Sequence, residues 1–267
     1  MKRTTYIFIG MFVANVILAV ILMVYLKGIL MNSDDLNYRF SFAQQQYNSL
    51  DLEDVHTLEF ITKGVDADQF YFRNPGKIKI ATSGAPGEKT ISYPVSDYLK
   101  VNKEGGILKV VVDLTAEQLK EDNSGVGRGI SLDSLIINVM TDKTLKNISG
   151  NKGFDVMLQR VELDSLCVTS ISTEVESSEI RSLMLSGKMM FKSENSTFND
   201  LYIDLDKIHW DMKVKGNKVN SLYLTGSGRH KNRLSEDQYN RLVWEPKDED
   251  ARLEVTLKGK TEIVTDN

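Results

Sequence analysis

The chain contains few of the residues that form most disulfide, metal and nucleophile sites. Its 267 residues include one cysteine, three histidines and four prolines. A single cysteine excludes an intramolecular disulfide and a cysteine-rich zinc site, and Cys167 lies in an apolar strand pattern where a free cysteine is ordinarily a small, half-buried side chain. His56, His209 and His230 are not spaced as a metal-binding pair on a helix. The sequence therefore predicts no catalytic residue, no cofactor site and no metal ligand.

Positive charge is not in excess. The chain carries 33 lysines and arginines against 37 aspartates and glutamates, a net charge of −4. Binding to the phosphate backbone of a nucleic acid requires a basic face, so no nucleic-acid partner is expected. The share of hydrophobic residues, 41%, is that of an ordinary folded protein rather than of a disordered chain.

One long run, residues 6–26, lacks charge and proline altogether. A helix over these residues would measure about 31 Å, the thickness of a hydrocarbon core. The run ends in Val24-Tyr25-Leu26-Lys27, without the small residues of a cleavage site, which favours a retained signal-anchor over a cleaved signal peptide. Because Lys2 and Arg3 precede the run, we expect a single-pass protein of the bacterial inner membrane, with a cytoplasmic N-terminus and a periplasmic C-terminal domain.

Small residues within this run indicate a contact between two such helices. Gly10 and Ala14 form a small-xxx-small pair with Asn15 beside it, a combination that allows close packing and an amide hydrogen bond. The pattern predicts a weak transmembrane homodimer.

From about residue 55 the sequence becomes a series of short runs with alternating apolar and polar residues, separated by glycine, proline and asparagine. The predicted strands at the start of this series are residues 57–61, 69–72, 77–80, 98–101 and 107–114. The turn Lys103-Glu104-Gly105-Gly106 predicts a hairpin between the last two.

A leucine-centred unit recurs between residues 130 and 225. Its central leucines are Leu135, Leu166, Leu183, Leu201 and Leu222. They are separated by 31, 17, 18 and 21 residues, and a degenerate copy at residues 145–148 would bring the period to about 18. Units this short cannot bury their own apolar face, so they are expected to stack with the leucines in one interior. The pattern predicts an all-β fold, a β-solenoid-like stack of short strands; the alternative is an antiparallel β-sandwich.

These features together predict four segments. A cytoplasmic tail and transmembrane helix over residues 1–27 and a spacer over 28–54 precede a β-solenoid-like domain over 55–226 and a C-terminal cap over 227–267. Two apolar runs in the cap, residues 252–257 and 262–264, are expected to form a final hairpin that protects the last strand edge.

With the anchor, the strand around Phe60, the hairpin over residues 98–112 and the leucine repeat, the chain resembles the bacterial head GIN domain family of autotransporter-adhesin heads, which is DUF2807-like and common in Bacteroidetes. The resemblance covers residues 55–226. It implies an exported β-solenoid without catalytic residues. Only Leu185-Ser186-Gly187 and Thr225-Gly226-Ser227-Gly228 match the glycine–serine corners expected of that family.

Two groups of carboxylates were candidates for chemistry. Asp200, Asp204 and Asp206 alternate along one strand and could bind calcium weakly, although such residues more often form a solvated face. Asp133 and Asp164 occupy the second position of the leucine-centred unit, where a carboxylate pair would suit a carbohydrate-active β-solenoid enzyme. The function we expect is that of a non-enzymatic cell-envelope protein with a structural or binding role and an envelope protein or glycan as partner; the enzyme is the alternative.

Overall fold

The structure is a computed structural model that describes residues 15–25, 37–42, 46–65, 70–82, 88–115, 128–208, 213–228, 232–234, 238–255 and 260–265. Within these ranges the chain forms one helix, over residues 15–25, and otherwise β-strands. The strands in chain order are β1 (Asn37–Ser41), β2 (Tyr47–Asp51), β3 (Thr57–Lys63), β4 (Phe70–Asn74), β5 (Gly76–Thr82), β6 (Thr90–Pro94), β7 (Leu99–Glu104), β8 (Ile107–Asp113), β9 (Arg128–Asp133), β10 (Ile136–Thr141), β11 (Asn147–Gly150), β12 (Phe154–Gln159), β13 (Glu162–Thr169), β14 (Ser172–Glu176), β15 (Glu179–Ser186), β16 (Phe191–Glu194), β17 (Thr197–Asp204), β18 (Lys213–Lys215), β19 (Lys218–Gly226), β20 (Asn232–Leu234), β21 (Gln238–Pro246), β22 (Leu253–Val255) and β23 (Glu262–Thr265).

The predicted transmembrane helix covers residues 6–26, of which the structure describes residues 15–25 as helix. Across the described ranges, no helix is both long and apolar enough to cross a membrane. The predicted transmembrane helix and the inner-membrane localisation are therefore wrong for the part of the chain that the structure describes. Residues 6–14 and 26, including Gly10 and Ala14 of the predicted homodimer contact, lie outside the described residues.

Most of the described strands belong to two sheets. The ten-stranded sheet has the order β23-β21-β19-β17-β15-β13-β11-β3-β8-β7, and the eight-stranded sheet has the order β18-β16-β14-β12-β5-β10-β6-β2. From β11 to β19 the chain alternates between the two sheets, and neighbouring strands pair in parallel. The other two sheets are smaller and have the orders β1-β9-β4 and β20-β22.

The predicted β-solenoid-like stack behind a membrane helix is wrong, since the sheets are mixed. Antiparallel pairs join β7 to β8, β10 to β6 and β2 to β6. The early strands also do not follow chain order, because β3 lies between β8 and β11 and β5 lies between β10 and β12. A sequence repeat predicts the local structure of each unit, but it does not predict which distant strands pair with each other. The antiparallel β-sandwich is wrong as well, because the long ladders of both sheets are parallel.

The local strand predictions agree better with the structure. The predicted hairpin is confirmed as β7 and β8, and it turns at Gly105 and Gly106, which both have positive φ, 57° and 78°. The predicted final hairpin is wrong, because β22 pairs in parallel with β20 and β23 pairs in parallel with β21. Strands β1 and β2 fall inside residues 28–54, the range expected to be a spacer.

The core lies between the two large sheets and contains the repeated leucines. Leu166, Leu183, Leu201 and Leu222 occupy paired positions on β13, β15, β17 and β19, and none is more than 2% exposed. Leu135 is buried in the same core but lies between β9 and β10, after Ser134 with φ of 65°. The prediction that the five side chains share one interior is confirmed.

A chain of hydrogen bonds links the corners at which the chain crosses from the eight-stranded to the ten-stranded sheet. The Val161 N–H donates to Ser178 Oγ at 3.1 Å, and the Ser178 N–H donates to Ser196 Oγ at 3.1 Å. The Ser196 N–H donates to Asn217 Oδ1 at 2.9 Å. All four residues are buried. We call this series the corner relay, and it satisfies backbone donors that the turns leave outside the sheet ladders.

The corner relay repeats because the turn before it repeats. The residue before each member has positive φ: Arg160, Ser177, Asn195 and Gly216 have φ of 53°, 49°, 52° and 66°. Glycine adopts this conformation without steric cost, and asparagine does so more readily than most other residues. The same left-handed turn therefore directs the chain back into the ten-stranded sheet at each corner.

Candidate binding groove

The outer face of the eight-stranded sheet carries lysines on β5 and on β16. Lys77 on β5 pairs with Asp155 on β12, which pairs with Ser172 on β14. Two residues further along, Lys79 is followed across the strands by Met157, Glu174 and Lys192. Because alternate residues of a strand point to the same face, these two rows form one outward surface.

This surface is concave where it meets β4. Two adjoining hollows, of about 230 and 440 Å³, share Asp155, Ser172 and Met190 in their linings. We call the two together the cationic groove. Among the described residues its charged lining consists of six cations and two carboxylates: Arg73, Lys77, Lys79, Lys152, Lys188 and Lys192, with Asp155 and Glu174.

One wall of the cationic groove is aromatic. Phe70, Tyr71 and Phe72 come from β4, which belongs to the three-stranded sheet rather than to the sheet that forms the floor. Tyr71 is 49% exposed, and Met190 beside the wall is 40% exposed. Gly153 allows this wall to approach, since a Cβ there would lie 3.0 Å from Phe72 Cζ and 2.4 Å from Thr62 Oγ1. The groove therefore combines a charged floor with an apolar, partly exposed side.

Asp155 is the half-buried acid of the groove. Burial raises the pKa of its carboxyl above the ordinary value, and the neighbouring Glu174 acts in the same direction. Lys192 and Lys77 oppose the shift by favouring the charged form, without cancelling it. Asp155 is therefore easier to protonate than a solvated aspartate.

The lysines of the floor are not used by the fold. With respect to the described residues, Lys77, Lys79 and Lys192 make no ion pair within 4 Å. Elsewhere lysines do pair: Lys89 Nζ lies 3.1 Å from Asp142 Oδ2, and Lys109 Nζ lies 3.0 Å from Glu59 Oε2. The charges of the floor are thus available to a ligand.

A lysine contacts two of the three aspartates that were weighed as a weak calcium site. Lys247 Nζ donates to Asp204 Oδ1 and, at 3.0 Å, to Asp206 Oδ2. Asp206 Oδ1 also accepts from the Ser227 N–H and Oγ–H, both at 2.9 Å. The described residues contain no cluster of three or more His, Cys, Asp or Glu side chains that could hold a metal ion. Asp204 and Asp206 therefore form an ion pair with Lys247 within the chain.

This ion pair predicts acid sensitivity. Burial by itself raises the pKa of Asp206, but hydrogen bonds from Ser227 and Lys247 outweigh it and lower the pKa from 3.8 to about 2. A lowered pKa stabilises the fold above the unfolded-state value, and this stabilisation is lost as the pH falls from about 4 to about 2. We expect Asp206→Asn to cost about 1–2 kcal/mol at neutral pH and to flatten the loss of stability in acid, measured by urea unfolding at several pH values. The exposed Asp164→Asn is the control, and equal acid slopes for Asp206→Asn and the natural chain would contradict the assignment.

The carboxylate pair that the alternative enzyme would need, Asp133 and Asp164, is not formed. Asp133 ends β9 in the three-stranded sheet, where its Oδ1 accepts from Asn74 Nδ2 at 3.3 Å, whereas Asp164 lies on β13 in the ten-stranded sheet. Asp164 instead shares a shallow polar hollow of about 300 Å³ with Glu162, Glu179 and Arg181.

The remaining candidates are unremarkable in chemistry. Cys167 is partly buried on β13 with its Sγ 3.8 Å from Thr169 Oγ1, so the prediction of a small half-buried side chain is confirmed. His56 Nδ1 lies 3.1 Å from Thr57 Oγ1. His209 and His230 lie outside the described residues.

Sequence reasoning missed the cationic groove. Lys77 and Lys192 are more than a hundred residues apart, and each one by itself has the pattern of a solvated strand face. Only the pairing of β5 with β12, β12 with β14 and β14 with β16 brings them onto one surface. The local alternation Lys77-Ile78-Lys79 marks an exposed cationic strand but not its neighbours.

Comparison with known proteins gives distant likenesses of fold. No family model and no curated protein matches the chain. A candidate lipid-binding protein from Parabacteroides distasonis is 10% identical, with a TM-score of 0.38. The alignment covers 86% of this chain and 100% of that protein's chain. A candidate adhesin from Parabacteroides merdae is also 10% identical, with a TM-score of 0.39 and the same coverage.

A third solved structure is more distant. A candidate cell adhesion protein from Clostridium sporogenes is 8% identical, with a TM-score of 0.21, over 75% of this chain and 71% of its own. The three names describe binding or adhesion rather than catalysis. The head GIN domain family stays a resemblance, because no family model matches.

Proposed function

We propose that this chain is a non-enzymatic binding protein that holds a cell-envelope glycan in the cationic groove. The observation that supports this most directly is the lining of the groove. Lys77, Lys79 and Lys192, which make no ion pair among the described residues, line the same groove as the exposed Tyr71 and Met190. Ligand sites combine apolar contact area with a few polar groups in this way.

The scaffold beneath the groove suits a binding role. Ile78, Ile80, Val156 and Phe191, which point inward from the strands of the floor, are at most 1% exposed. The outward side chains are therefore mounted on strands whose other face is packed in the core, so little ordering is needed when a ligand binds. An aromatic side chain and flexible methionines contact the apolar faces of sugar rings, while lysines contact polar substituents.

One observation favours a second candidate, a carbohydrate-active enzyme. Asp155 and Glu174 lie on neighbouring strands and are offset by two residues, which places their Cα atoms about 8 Å apart. Inverting glycosidases use two carboxyl groups, one of which has a raised pKa, as Asp155 has. The fate of the bound glycan distinguishes the two functions.

The proposal is tested on an array of neutral, acidic and basic oligosaccharides. We expect the chain to retain a subset of them and to release it with unchanged mass. Ser172→Trp, which fills the shared part of the groove, should reduce retention at least about tenfold, as expected when a ligand site is blocked. Ser165→Trp, the same change on the outer face of the ten-stranded sheet, is the matched control.

Two outcomes would overturn the proposal. Retention of no saccharide, or equal retention by Ser172→Trp and Ser165→Trp, would remove the groove as a glycan site. Shortened glycans in the released fraction, with loss of cleavage in Asp155→Asn, would establish the enzyme instead.

A further inference from the structure

We infer that the glycan held in the cationic groove is acidic, a polymer with carboxylates on its sugars. This inference rests on the proposed function and names the class of its ligand. It comes from the distribution of charge, from the spacing of the lysines and from the shape of the groove.

The charge of the groove is opposite to that of the chain. Four lysines of the lining, Lys77, Lys79, Lys188 and Lys192, outnumber its two carboxylates among the described residues, in a chain whose net charge is −4. A concave surface lined by one sign of charge attracts ligands of the other sign and raises their association rate. A neutral glycan would gain nothing from this excess.

The spacing of the lysines suits a polymer better than a single small anion. Lys79 on β5 and Lys192 on β16 are separated by two intervening strands, β12 and β14, which corresponds to about 14 Å between their Cα atoms. A single carboxylate or phosphate cannot reach both. A chain with charges at regular intervals can contact both at once, and Lys77 and Lys188 extend the same surface.

The shape of the groove disfavours a hydrocarbon chain. Its floor includes Asp155, Ser172 and Glu174 between the apolar side chains, and it is open to solvent along one side. An acyl chain would remain partly in water and would lie against a carboxylate, which forfeits much of the gain from burial. Sugar rings have both apolar faces and hydroxyl groups, so they can contact Tyr71 and the polar floor together.

The test compares an oligogalacturonate with its neutral methyl ester of the same length, by calorimetry on the whole chain. We expect the acid to bind at least about tenfold more tightly than the ester, and more weakly as salt is raised. The double variant Lys79→Gln/Lys192→Gln should weaken binding of the acid about tenfold. The control is Lys146→Gln/Lys218→Gln, because Lys146 directly precedes β11 and Lys218 begins β19, both in the ten-stranded sheet. This control should leave binding unchanged.

Removal of the acid in the groove gives a test that a folding defect cannot imitate. Asp155→Asn removes a like charge from the path of the ligand, so we expect it to bind the oligogalacturonate about two- to fivefold more tightly. Binding of the ester should not change. Unchanged or weaker binding of the acid by Asp155→Asn would contradict the inference.

The other outcomes separate this inference from the proposed function. Equal binding of acid and ester would refute an acidic ligand and leave the glycan site standing. Binding of neither would refute the proposed function itself. Tighter binding of a single-stranded oligonucleotide or of laurate than of the oligogalacturonate would overturn the inference in favour of a nucleic acid or an anionic amphiphile.

Discussion

Replacement of Leu183 by alanine is expected to destabilise the fold by about 3–5 kcal/mol. Leu183 on β15 is 0% exposed and lies between Leu166 and Leu201 in the paired row of the ten-stranded sheet. The parallel strands on both sides are held by backbone hydrogen bonds, so they cannot close in to fill the space that the side chain leaves. The measurement is the free energy of unfolding in urea, followed by far-ultraviolet circular dichroism.

The next residue of the same strand provides the control. Met184 points to the opposite face and is 48% exposed, so Met184→Ala should cost less than about 1 kcal/mol. The two variants differ by one position in the chain and share the same backbone environment. Similar losses in both variants would contradict the assignment of Leu183 to the interior and Met184 to the surface.

Replacement of Asn217 by alanine is expected to cost about 2–4 kcal/mol, the second-largest effect. Its Oδ1 accepts from the Ser196 N–H and from Ser193 Oγ, both at 2.9 Å, and its Nδ2 donates to the Ser193 carbonyl at 3.2 Å. Asn217 is 1% exposed, and both serines are buried. The substitution would leave a backbone donor, a hydroxyl and a carbonyl without these partners, away from water.

The control is an exposed asparagine three positions later, which distinguishes the effect of burial from the effect of losing an asparagine. Asn220 is exposed, and its Oδ1 accepts a hydrogen bond from Asn240 Nδ2 at 3.2 Å. Asn220→Ala should cost less than about 0.5 kcal/mol, because water replaces the lost bond. If Asn217→Ala unfolds at the same urea concentration as Asn220→Ala, the corner relay does not contribute to stability.

Local features of the sequence anticipated a large part of the fold. The spacings between Leu166, Leu183, Leu201 and Leu222 became the offsets between paired strands, because a residue that recurs once per unit lies at the same place in each unit. Gly105 and Gly106 anticipated the hairpin, since both positions require positive φ. These signals depend only on residues close in the chain.

What the sequence did not reveal depends on distant partners. β3 pairs with β8 on one side and with β11 on the other, and neither partner is recognisable in residues 57–63 themselves. The runs at 252–257 and 262–264 have the spacing of a hairpin, but each has a parallel neighbour from an earlier segment. The uncharged run at residues 6–26 has the composition of a membrane helix, whereas the part of the chain that the structure describes contains no helix long and apolar enough to cross a membrane.

The candidate site follows the same rule. Lys77 and Lys79 alternate visibly in one strand, but their relation to Lys192 and to the aromatic residues of β4 exists only after two sheets have assembled. The carboxylates that the repeat seemed to align, Asp133 and Asp164, belong to different sheets. A repeated position predicts a shared site only when every copy enters the same ladder.

The corner relay gives the fold a direction. Its polar side chains each accept a hydrogen bond from the backbone of the preceding corner. The Ser196 N–H donates to Asn217, and the Ser178 N–H donates to Ser196. Opening a later corner therefore removes the hydrogen-bond acceptor of a backbone N–H in the corner before it. Opening the corner at Val161 removes only one of the hydrogen bonds of Ser178 Oγ, which also donates to the Leu158 and Glu176 carbonyls. Later corners therefore stabilise earlier ones. A substitution at Asn217 is expected to destabilise the corners before it, whereas a substitution at Val161 should have little effect on the corners after it.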